Sequence, residues 1–387
     1  MPFAAALSEH PVPAHAVGEV AGALLEQLGD RPDLVTVFVT RGHAGALEDI
    51  LATLDTVLHP LVTLGLAAES VVGPHHEIEA GPAVAVFAAR TGPLLPLTLD
   101  ARPGPDGDLQ VAGWPPETAF DPQALLLLAD PYSFPVEDFL LWAQDHHPGL
   151  PVAGGMASGA RGPGGNRLGL GTRVGTAGAV AALLGPGVEL ESVVSQGCRP
   201  FGQPLVVTKA DHNIIGELGG RPALGRLQAE AGSSLTPEEI AVLEEGGLLI
   251  GRVIDERRET FGPRDFLMRQ VLGADRSSGA IAVGDVVPVG TTVQFHLRDA
   301  RTADEDLHIL LAPRQAEGAL LFTCNGRGTR LFPAPDHDVD VMAEELGPVP
   351  LAGFFAAGEV GPVGDRSFLH GLTASIVLFR DLDPGGP

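Results

Sequence analysis

The chain has almost no lysine and few aromatic side chains. Lys209 is its only lysine, so arginine supplies nearly all of the positive charge, and the formal net charge is −25. Nucleic-acid binding is therefore not expected, because phosphate contacts need a basic face. An anionic membrane surface is disfavoured for the same reason. Since aromatic residues make up 5% of the chain, aliphatic residues must fill most of the core.

Long apolar runs are also missing. Stretches such as residues 124–129 are far too short to cross a bilayer, so we expect no membrane insertion. The first five residues lack the basic flank of a signal peptide. The chain has two cysteines, Cys198 and Cys324, and free thiols are the expectation for a cytosolic protein of this size. Together these features predict a cytoplasmic protein.

A chain of 387 residues is too long for one ordinary core, which predicts two domains. The clearest helix start is Thr236-Pro237, with Glu239 three residues after the cap. We place the domain boundary before that helical region, near Gly219-Gly220. The predicted domains are residues 1–219 and 220–387.

A strand–helix–strand pattern occurs three times. The second strands of the last two copies are similar in sequence, since residues 151–159 match residues 350–358. We therefore predict an α/β fold (mixed α+β) of two related domains, each a mixed β-sheet with crossover helices. The three units are residues 34–40, 46–58 and 60–65; residues 124–129, 136–146 and 150–154; and residues 319–323, 339–346 and 349–353.

The repeat indicates where a ligand would bind. Both strands of a crossover unit end at the same edge of the sheet, and ligands of open α/β sheets bind at that edge. Four loops become candidates: residues 130–132, 155–158, 325–327 and 358–359. In the second loop, Ser158 is a weak nucleophile candidate, because no signature pairs it with a base. The glycine-rich segment around it lacks the lysine of a phosphate loop and favours a turn-rich connector.

Cys198 and Arg199 follow a predicted strand. A neighbouring guanidinium lowers a thiol pKa, so Cys198 is a candidate nucleophile. The alternative, which we favour because no histidine partner is visible, is a simply buried cysteine. Arg199 is the better candidate, because its planar fork pairs with anionic ligands through two hydrogen bonds.

A second cysteine segment, Cys324-Asn325-Gly326-Arg327, lies where a buried strand ends. Asn325 and Gly326 readily adopt a left-handed turn, which turns backbone amides inward. Arg327 offers a planar donor fork for a carboxylate. A plain turn with a solvated arginine explains the same residues equally well.

The last candidates are Glu359, which lies between glycines after a predicted strand, and His370. An acid in this position suits a ligand ammonium or guanidinium group, and His370 would titrate beside it or orient it. A structural ion pair of Glu359 with Arg366 or Arg327 is the alternative. The histidine pairs of the chain lack metal-ligand spacing, so we assign no metal and no cofactor.

Four motifs in this order resemble the FIST family. They are Cys198-Arg199-Pro200-Phe201-Gly202, the segment 284–290, Cys324-Asn325-Gly326-Arg327 and the segment 353–359. The resemblance covers nearly the whole chain, with a FIST N-terminal module followed by a FIST C-terminal one. Bacterial members are fused to signalling domains or stand alone, and eukaryotic relatives are joined to F-boxes. The family is proposed to sense small ligands, amino acids among them. The resemblance implies a stand-alone bacterial member. Any signalling output of such a member comes from a separate partner protein, or there is none.

These observations leave three functions open. The first is a small-molecule sensor with its pocket between or at the edge of the two domains, where Arg199 or Arg327 takes an amino acid's carboxylate and Glu359 its ammonium group. The second is a thiol-dependent enzyme using Cys324 or Cys198, with His370 as base. The third is a protein-interaction scaffold, which predicts an exposed apolar patch. The predicted ligand-binding residues are Ser158, Cys198, Arg199, Asn325, Arg327, Glu359 and His370.

Overall fold

The computed structural model describes residues 2–29, 31–104, 108–258, 260–262 and 265–382. Over these residues the chain forms seven α-helices and 26 strands in four sheets. It divides into two compact units: unit 1 comprises residues 1–195 and 308–387, and unit 2 comprises residues 196–307. The predicted α/β fold with mixed sheets in two domains is confirmed. These compact units do not coincide with the domains 1–219 and 220–387 proposed from the sequence. The domain boundary at Gly219-Gly220 stays a prediction.

Sheet 1 of unit 1 contains the first crossover unit. Its strand order is β1-β6-β2-β3-β11-β12, and β2 and β3 are parallel. Every residue of β2 is buried, because helices α1 (Pro13–Leu28) and α2 (Leu47–Leu58) cover one face of the sheet and other sheets cover the second. The strands are β1 (Phe3–Ser8), β2 (Leu34–Thr40), β3 (Val62–Ala68), β6 (Val84–Ala89), β11 (Leu168–Leu170) and β12 (Arg173–Gly175).

Sheet 2 contains the second crossover unit, in which β9 and β10 are parallel and joined by α3 (Val136–His146). The strand order is β25-β24-β10-β9-β13-β7-β8. Its strands are β7 (Leu94–Pro103), β8 (Leu109–Ala112), β9 (Ala124–Ala129), β10 (Val152–Met156), β13 (Ala179–Leu184), β24 (Glu359–Val363) and β25 (Arg366–His370).

Sheet 3 contains the third crossover unit, in which β22 and β23 are parallel and joined by α7 (His337–Leu346). The strand order is β14-β26-β22-β23-β4-β5. Its strands are β4 (Val71–Val72), β5 (Glu77–Ile78), β14 (Val188–Ser195), β22 (Gly318–Cys324), β23 (Leu351–Ala356) and β26 (Ala374–Asp381). All three predicted crossover units therefore lie in unit 1.

The repeated segments share a packing requirement. A β-carbon on Gly154 would lie 1.9 Å from the carbonyl oxygen of Leu127, and one on Gly353 would lie 1.8 Å from that of Leu321. Each glycine belongs to the second strand of its unit, and each carbonyl belongs to the first. Only glycine allows these two backbones to approach so closely. The sequence similarity of the two segments thus includes a position that the packing of each unit requires.

A shared core lies among the three sheets of unit 1. It concentrates the scarce aromatic residues, as in the pair Phe38–Phe354 with ring centroids 5.1 Å apart. The buried phenylalanines of this core are Phe3, Phe38, Phe87, Phe322, Phe354 and Phe379. Aliphatic side chains fill the rest of this core and most of the layers under the helices.

Unit 2 is built on sheet 4, whose pairings are all antiparallel. Its strand order is β15-β21-β18-β19-β20-β16-β17, and β15 also pairs with β16. The elements are β15 (Cys198–Asp211), β16 (Ile214–Leu218), β17 (Arg221–Pro222), α4 (Ala223–Ser234), α5 (Pro237–Val242), β18 (Leu248–Val253), β19 (Phe266–Asp275), β20 (Ala280–Val283), β21 (Thr292–Arg298) and α6 (Ala300–Leu311), which continues into unit 1. The predicted capping box of Thr236 and Glu239 is confirmed.

Among the residues described above, none forms a helix with both the length and the apolarity to cross a bilayer.

Candidate functional site

The carboxyl ends of β22 and β23 meet at one edge of sheet 3. Cys324 and Ala356 are register partners, and the amide of Asn325 donates to the Ala356 carbonyl over 3.1 Å. This confirms the predicted placement of the Cys324 segment at the same edge as Gly358. After that edge the chain leaves sheet 3, because Glu359 begins β24, which pairs with β10 of sheet 2.

Ser158 joins this edge from sheet 2. Its hydroxyl donates to the Phe355 carbonyl and accepts the Glu69 amide proton over 2.9 Å. Glu69 directly follows β3, so the ends of strands from sheets 1, 2 and 3 converge here. Ser158 is buried and both hydrogen bonds run to the backbone, which makes it a connector of the three strand ends.

A group of charged and polar side chains lies at this convergence. We call Arg41, Glu69, Ser158, Asn325 and Arg330 the strand-end cluster. The Glu69 carboxylate lies 3.3 Å from Nη2 of Arg41 and 2.7 Å from Nη2 of Arg330. Arg330 also donates through Nη1 to the Asn325 carbonyl over 2.7 Å. The cluster is partly open to solvent, since the side chains of Arg41, Glu69 and Arg330 are 38%, 24% and 57% exposed.

One acceptor in the strand-end cluster is unused. The Oδ1 atom of Asn325 is buried, and no hydrogen-bond donor among the described residues reaches it. A buried acceptor without a donor reduces the free energy of unfolding by about 1–3 kcal/mol, because its hydrogen bond to water in the unfolded chain is not replaced in the folded one. The cluster therefore combines two guanidinium groups, a carboxylate and an orphan amide oxygen at one partly exposed position.

Arg327 does not belong to the exposed part of this edge. It is fully buried, which rules out the solvated arginine considered from the sequence. Its Nε and Nη2 donate to the Asp338 carboxylate over 2.9 Å and 2.7 Å, and its guanidinium lies 5.1 Å from the Phe332 ring centroid. Burial is the largest single influence on the pKa of Arg327 and would lower it, but the charge of Asp338, its hydrogen bonds and the charge of Glu77 act together to raise that pKa. The donor fork expected to hold a ligand carboxylate is thus engaged by a residue of the chain itself.

Asp338 is held ionised in the same place. Burial opposes its charge, yet the pKa of its carboxyl lies well below the ordinary value. The charge of Arg327 lowers it, and so do hydrogen bonds from His337, Arg327 and Thr323. The hydroxyl of Thr323 donates to it over 2.8 Å. The pair therefore ties the end of β22 to the first turn of α7.

Glu77 adds a second acid to this buried group. Its Oε1 accepts from the amides of Asp338 and Val339 over 3.0 Å and 3.3 Å, so it caps the first turn of α7. Burial, reinforced by the charge of Asp338, raises the pKa of Glu77 to about 8. Two polar atoms of this group, Oε2 of Glu77 and Nη1 of Arg327, have no partner among the described residues.

Glu359 and His370 face each other as register partners of β24 and β25. The Glu359 carboxylate is fully buried and accepts from the amide and the hydroxyl of Thr373 over 3.1 Å and 2.8 Å. The His370 ring lies 3.0 Å through Nε2 from the Gly361 carbonyl. The two arginines considered as partners of Glu359 have other contacts: Arg327 binds Asp338, and Arg366 donates to Gln144.

Cys198 and Arg199 lie in unit 2, whereas the other predicted site residues lie in unit 1. Cys198 is buried and free, and burial together with the charge of Asp306 raises the pKa of its thiol well above the ordinary range. A thiolate is therefore disfavoured at neutral pH. Arg199 forms ion pairs with Glu239 and, over 3.9 Å, with Asp299.

Cys324 differs from Cys198 in its surroundings. Its thiol forms no disulfide and is partly exposed at the end of β22, and its sulfur lies 3.4 Å from the amide nitrogen of Gly326. Its own amide donates to the Thr373 carbonyl over 2.9 Å. Because Thr373 also binds Glu359, this residue connects the Cys324 and Glu359 positions. Within the described ranges, no group of three or more histidine, cysteine or acidic side chains is placed to hold a metal ion.

Sequence reasoning missed several residues of this region. Arg41 and Glu69 immediately follow the two parallel strands of the first crossover unit, so the edge rule that selected the other loops would have found them. Arg330 lies only three residues beyond Arg327. Glu77 and Asp338 carried no local signal, because their roles depend on contacts with distant parts of the chain.

Two family models match the chain. The FIST N domain matches residues 33–221 and the FIST C domain matches residues 233–362. The chain belongs to the FIST family. FIST domains are generally associated with signal-transduction sensing. The motifs at Cys198, Gly284, Cys324 and Gly353 thus indicated the family correctly.

Curated relatives of this FIST protein occur in mycobacteria. An uncharacterised protein of Mycobacterium tuberculosis strain H37Rv is 44% identical over 382 residues, which cover 97% of this chain and 98% of the relative. An uncharacterised protein of Mycobacterium bovis is also 44% identical over 370 residues, covering 94% and 95% of the two chains. The similarity therefore extends over both FIST domains.

Proposed function

We propose that this FIST protein is a small-molecule sensor whose ligand binds at the strand-end cluster. The observation that carries the proposal is the buried, unused Oδ1 of Asn325 beside the partly exposed side chains of Arg330, Arg41 and Glu69. A ligand N–H group that reached Oδ1 would satisfy an acceptor that now has no donor. The cluster lies at the carboxyl ends of parallel strands, where ligands of α/β sheets bind.

The ligand class that fits these groups best is an amino acid. Its carboxylate matches the guanidinium of Arg330 or Arg41, and its ammonium group matches Glu69 and the Asn325 oxygen. Of the residues that the sequence predicts for this role (Arg199 or Arg327, with Glu359), Arg327 and Glu359 carry the same charges, but both side chains are fully buried and engaged by Asp338 and Thr373. Arg330 and Glu69 carry the same two charges at a partly exposed position, so a ligand bound there leaves the contacts of Arg327 with Asp338 and of Glu359 with Thr373 intact.

Titration calorimetry with each common amino acid and with related metabolites tests this proposal. We expect at least one amino acid to bind the full chain, and Asn325→Ala and Arg330→Ala each to weaken that binding by about tenfold or more. Arg301→Ala is the matched control, because Arg301 is also an exposed arginine and pairs only with Glu305 within helix α6 among the contacts described. Silence of all amino acids, or equal loss in the Arg330 and Arg301 variants, would overturn the proposal.

We further propose that the sensor acts in the cytoplasm and passes its signal to a separate protein. The high acidic charge and the association of FIST domains with signalling support this proposal. Co-purification from the native cytoplasm, with and without the amino acid identified by calorimetry, tests it. A partner whose retention changes with the ligand is the expected result.

A further inference from the structure

A cleft of about 690 Å³ runs along strand β1, away from the strand-end cluster residues. Strand β1 is the outermost strand of sheet 1 and pairs on one side with β6. The other walls are helix α1, through Ala23 and Gln27, and the segment 348–350. Clefts of about 300–1,000 Å³ are the size at which proteins bind ligands. A cleft of this size therefore opens onto an edge of sheet 1 at which no further strand pairs among the described residues.

A side chain of the protein already occupies one position on this edge. The amide of Ala5 donates to Oε1 of Gln27 over 3.3 Å, and Nε2 of Gln27 donates to the Ala5 carbonyl over 3.1 Å. These two bonds have the pattern that a peptide group of an added strand would form. Because backbone groups of alternate residues point to the same side of a strand, the N–H and C=O groups of Phe3 and Leu7 also point away from β6. The edge thus offers a row of backbone donors and acceptors to an extended chain.

The charge of the cleft indicates what kind of chain fits. Among the described residues that line it, Glu317 carries a carboxylate, and there is no arginine or lysine. The protein as a whole has a net charge of −25. A basic segment is therefore attracted, whereas a second copy of this chain would bring an equal negative charge and be repelled.

We propose that the cleft along β1 binds an extended, basic segment of a partner protein, which adds as a strand to the edge of sheet 1. Backbone hydrogen bonds to β1 give the affinity, and the apolar walls receive alternate side chains of the segment. The proposal assigns an interaction surface that is separate from the ligand site of the strand-end cluster. Failure of either proposal leaves the other intact, because the residues tested are different.

Fluorescence anisotropy with three labelled hexapeptides tests the proposal on the full chain. The first alternates valine and lysine, the second alternates valine and glutamate, and the third is the lysine peptide with alternate backbone amides methylated. We expect the lysine peptide to bind and the other two to bind at least about tenfold more weakly. The glutamate peptide is repelled by the negative charge of the protein, and the methylated peptide lacks the N–H groups that would form backbone hydrogen bonds to β1. Equal binding of the methylated peptide would overturn strand addition.

Three variants locate the binding. Ala23→Arg fills the cleft from helix α1 and is expected to weaken the lysine peptide by at least about tenfold. Ala52→Arg, at a similarly half-buried alanine on α2, is the matched control and should bind as the wild type does. Gln27→Ala frees the backbone groups of Ala5 and should bind at least as tightly as the wild type. Circular dichroism verifies that each variant is folded.

Three results would contradict the proposal. The first is that the lysine peptide binds neither the wild type nor Gln27→Ala. The second is that Ala23→Arg binds the peptide as well as Ala52→Arg does. The third is a concentration-dependent dimer in sedimentation that Ala23→Arg abolishes, which would make a second copy the occupant of the cleft.

Discussion

Arg327 and Asp338 form a two-bond ion pair that solvent does not reach. Nε and Oδ2 are 2.9 Å apart, Nη2 and Oδ1 are 2.7 Å apart, and the two side chains are 0% and 1% exposed. The arginine follows the end of β22, and the aspartate lies in the first turn of α7. The pair therefore holds together the strand end and the helix of the third crossover unit.

Breaking this pair is expected to destabilise the protein strongly. Arg327→Met leaves the Asp338 charge buried without its partner, which costs about 3–5 kcal/mol in the free energy of unfolding. Urea denaturation followed by circular dichroism measures the loss. Arg301→Met removes an exposed pair with Glu305 and should cost less than about 1 kcal/mol. Similar losses in the two variants would contradict the structural role of the buried pair.

The raised pKa of Glu77 predicts a pH-dependent difference between wild type and Glu77→Gln. The pKa of this carboxyl is about 8 in the folded protein, against 4.5 for an ordinary glutamate. Between these values the folded state holds a proton that the unfolded state has released, so stability declines as pH rises through this range.

Glu77→Gln cannot lose that proton, and it keeps an oxygen to accept from the amides of α7. As the pH rises from 5 to 9, the wild type loses stability and the variant does not, so we expect the free energy of unfolding of the variant to rise by on the order of 4 kcal/mol relative to that of the wild type. Urea denaturation at both pH values gives the difference. A difference between the two proteins that does not change with pH would refute the assignment.

The two cysteines are expected to react at different rates. Cys198 is buried and its thiol pKa is raised, whereas Cys324 is partly exposed beside the amide of Gly326. A maleimide at neutral pH should modify Cys324 at least about tenfold faster than Cys198, because exposure and thiolate content set the rate. Mass spectrometry of the alkylated protein over time gives both rates. The fast phase should vanish in Cys324→Ser and persist in Cys198→Ser.

Gly353→Ala is expected to be among the most damaging small substitutions. The new methyl group would lie 1.8 Å from the Leu321 carbonyl oxygen, so strands β22 and β23 must separate. We expect a loss of about 3 kcal/mol or more, measured by urea denaturation. Gly18→Ala on helix α1 is the control, because its β-carbon meets no atom within 4 Å. Alanine in place of glycine inside a helix raises the free energy of unfolding by about 0.5–1 kcal/mol, so the control should be slightly more stable than the wild type.

Much of the fold was predictable from local patterns. The apolar stretches 34–40 and 124–129 and the periodic helix 136–146 match the observed elements. Such elements are predictable because burial of one helix face, or both strand faces, leaves a pattern in neighbouring residues. The position of the Cys324 segment at the same edge as Gly358 also followed, since parallel strands joined by a crossover end together.

The amino-acid sequence by itself determined the α/β character, the three crossover units, the acidic surface charge and the FIST family. Tertiary structure alone decided that all three units belong to one compact unit, and that Arg327 binds Asp338. It also decided that Glu69, Ser158 and Asn325 come together at one edge. The physical reason is distance along the chain: a residue's partner and its burial depend on segments that lie far away in sequence. The local pattern of apolar and polar residues contains no information about such contacts. The sequence therefore indicated that Arg327 could bind a carboxylate, but not that the carboxylate is that of Asp338.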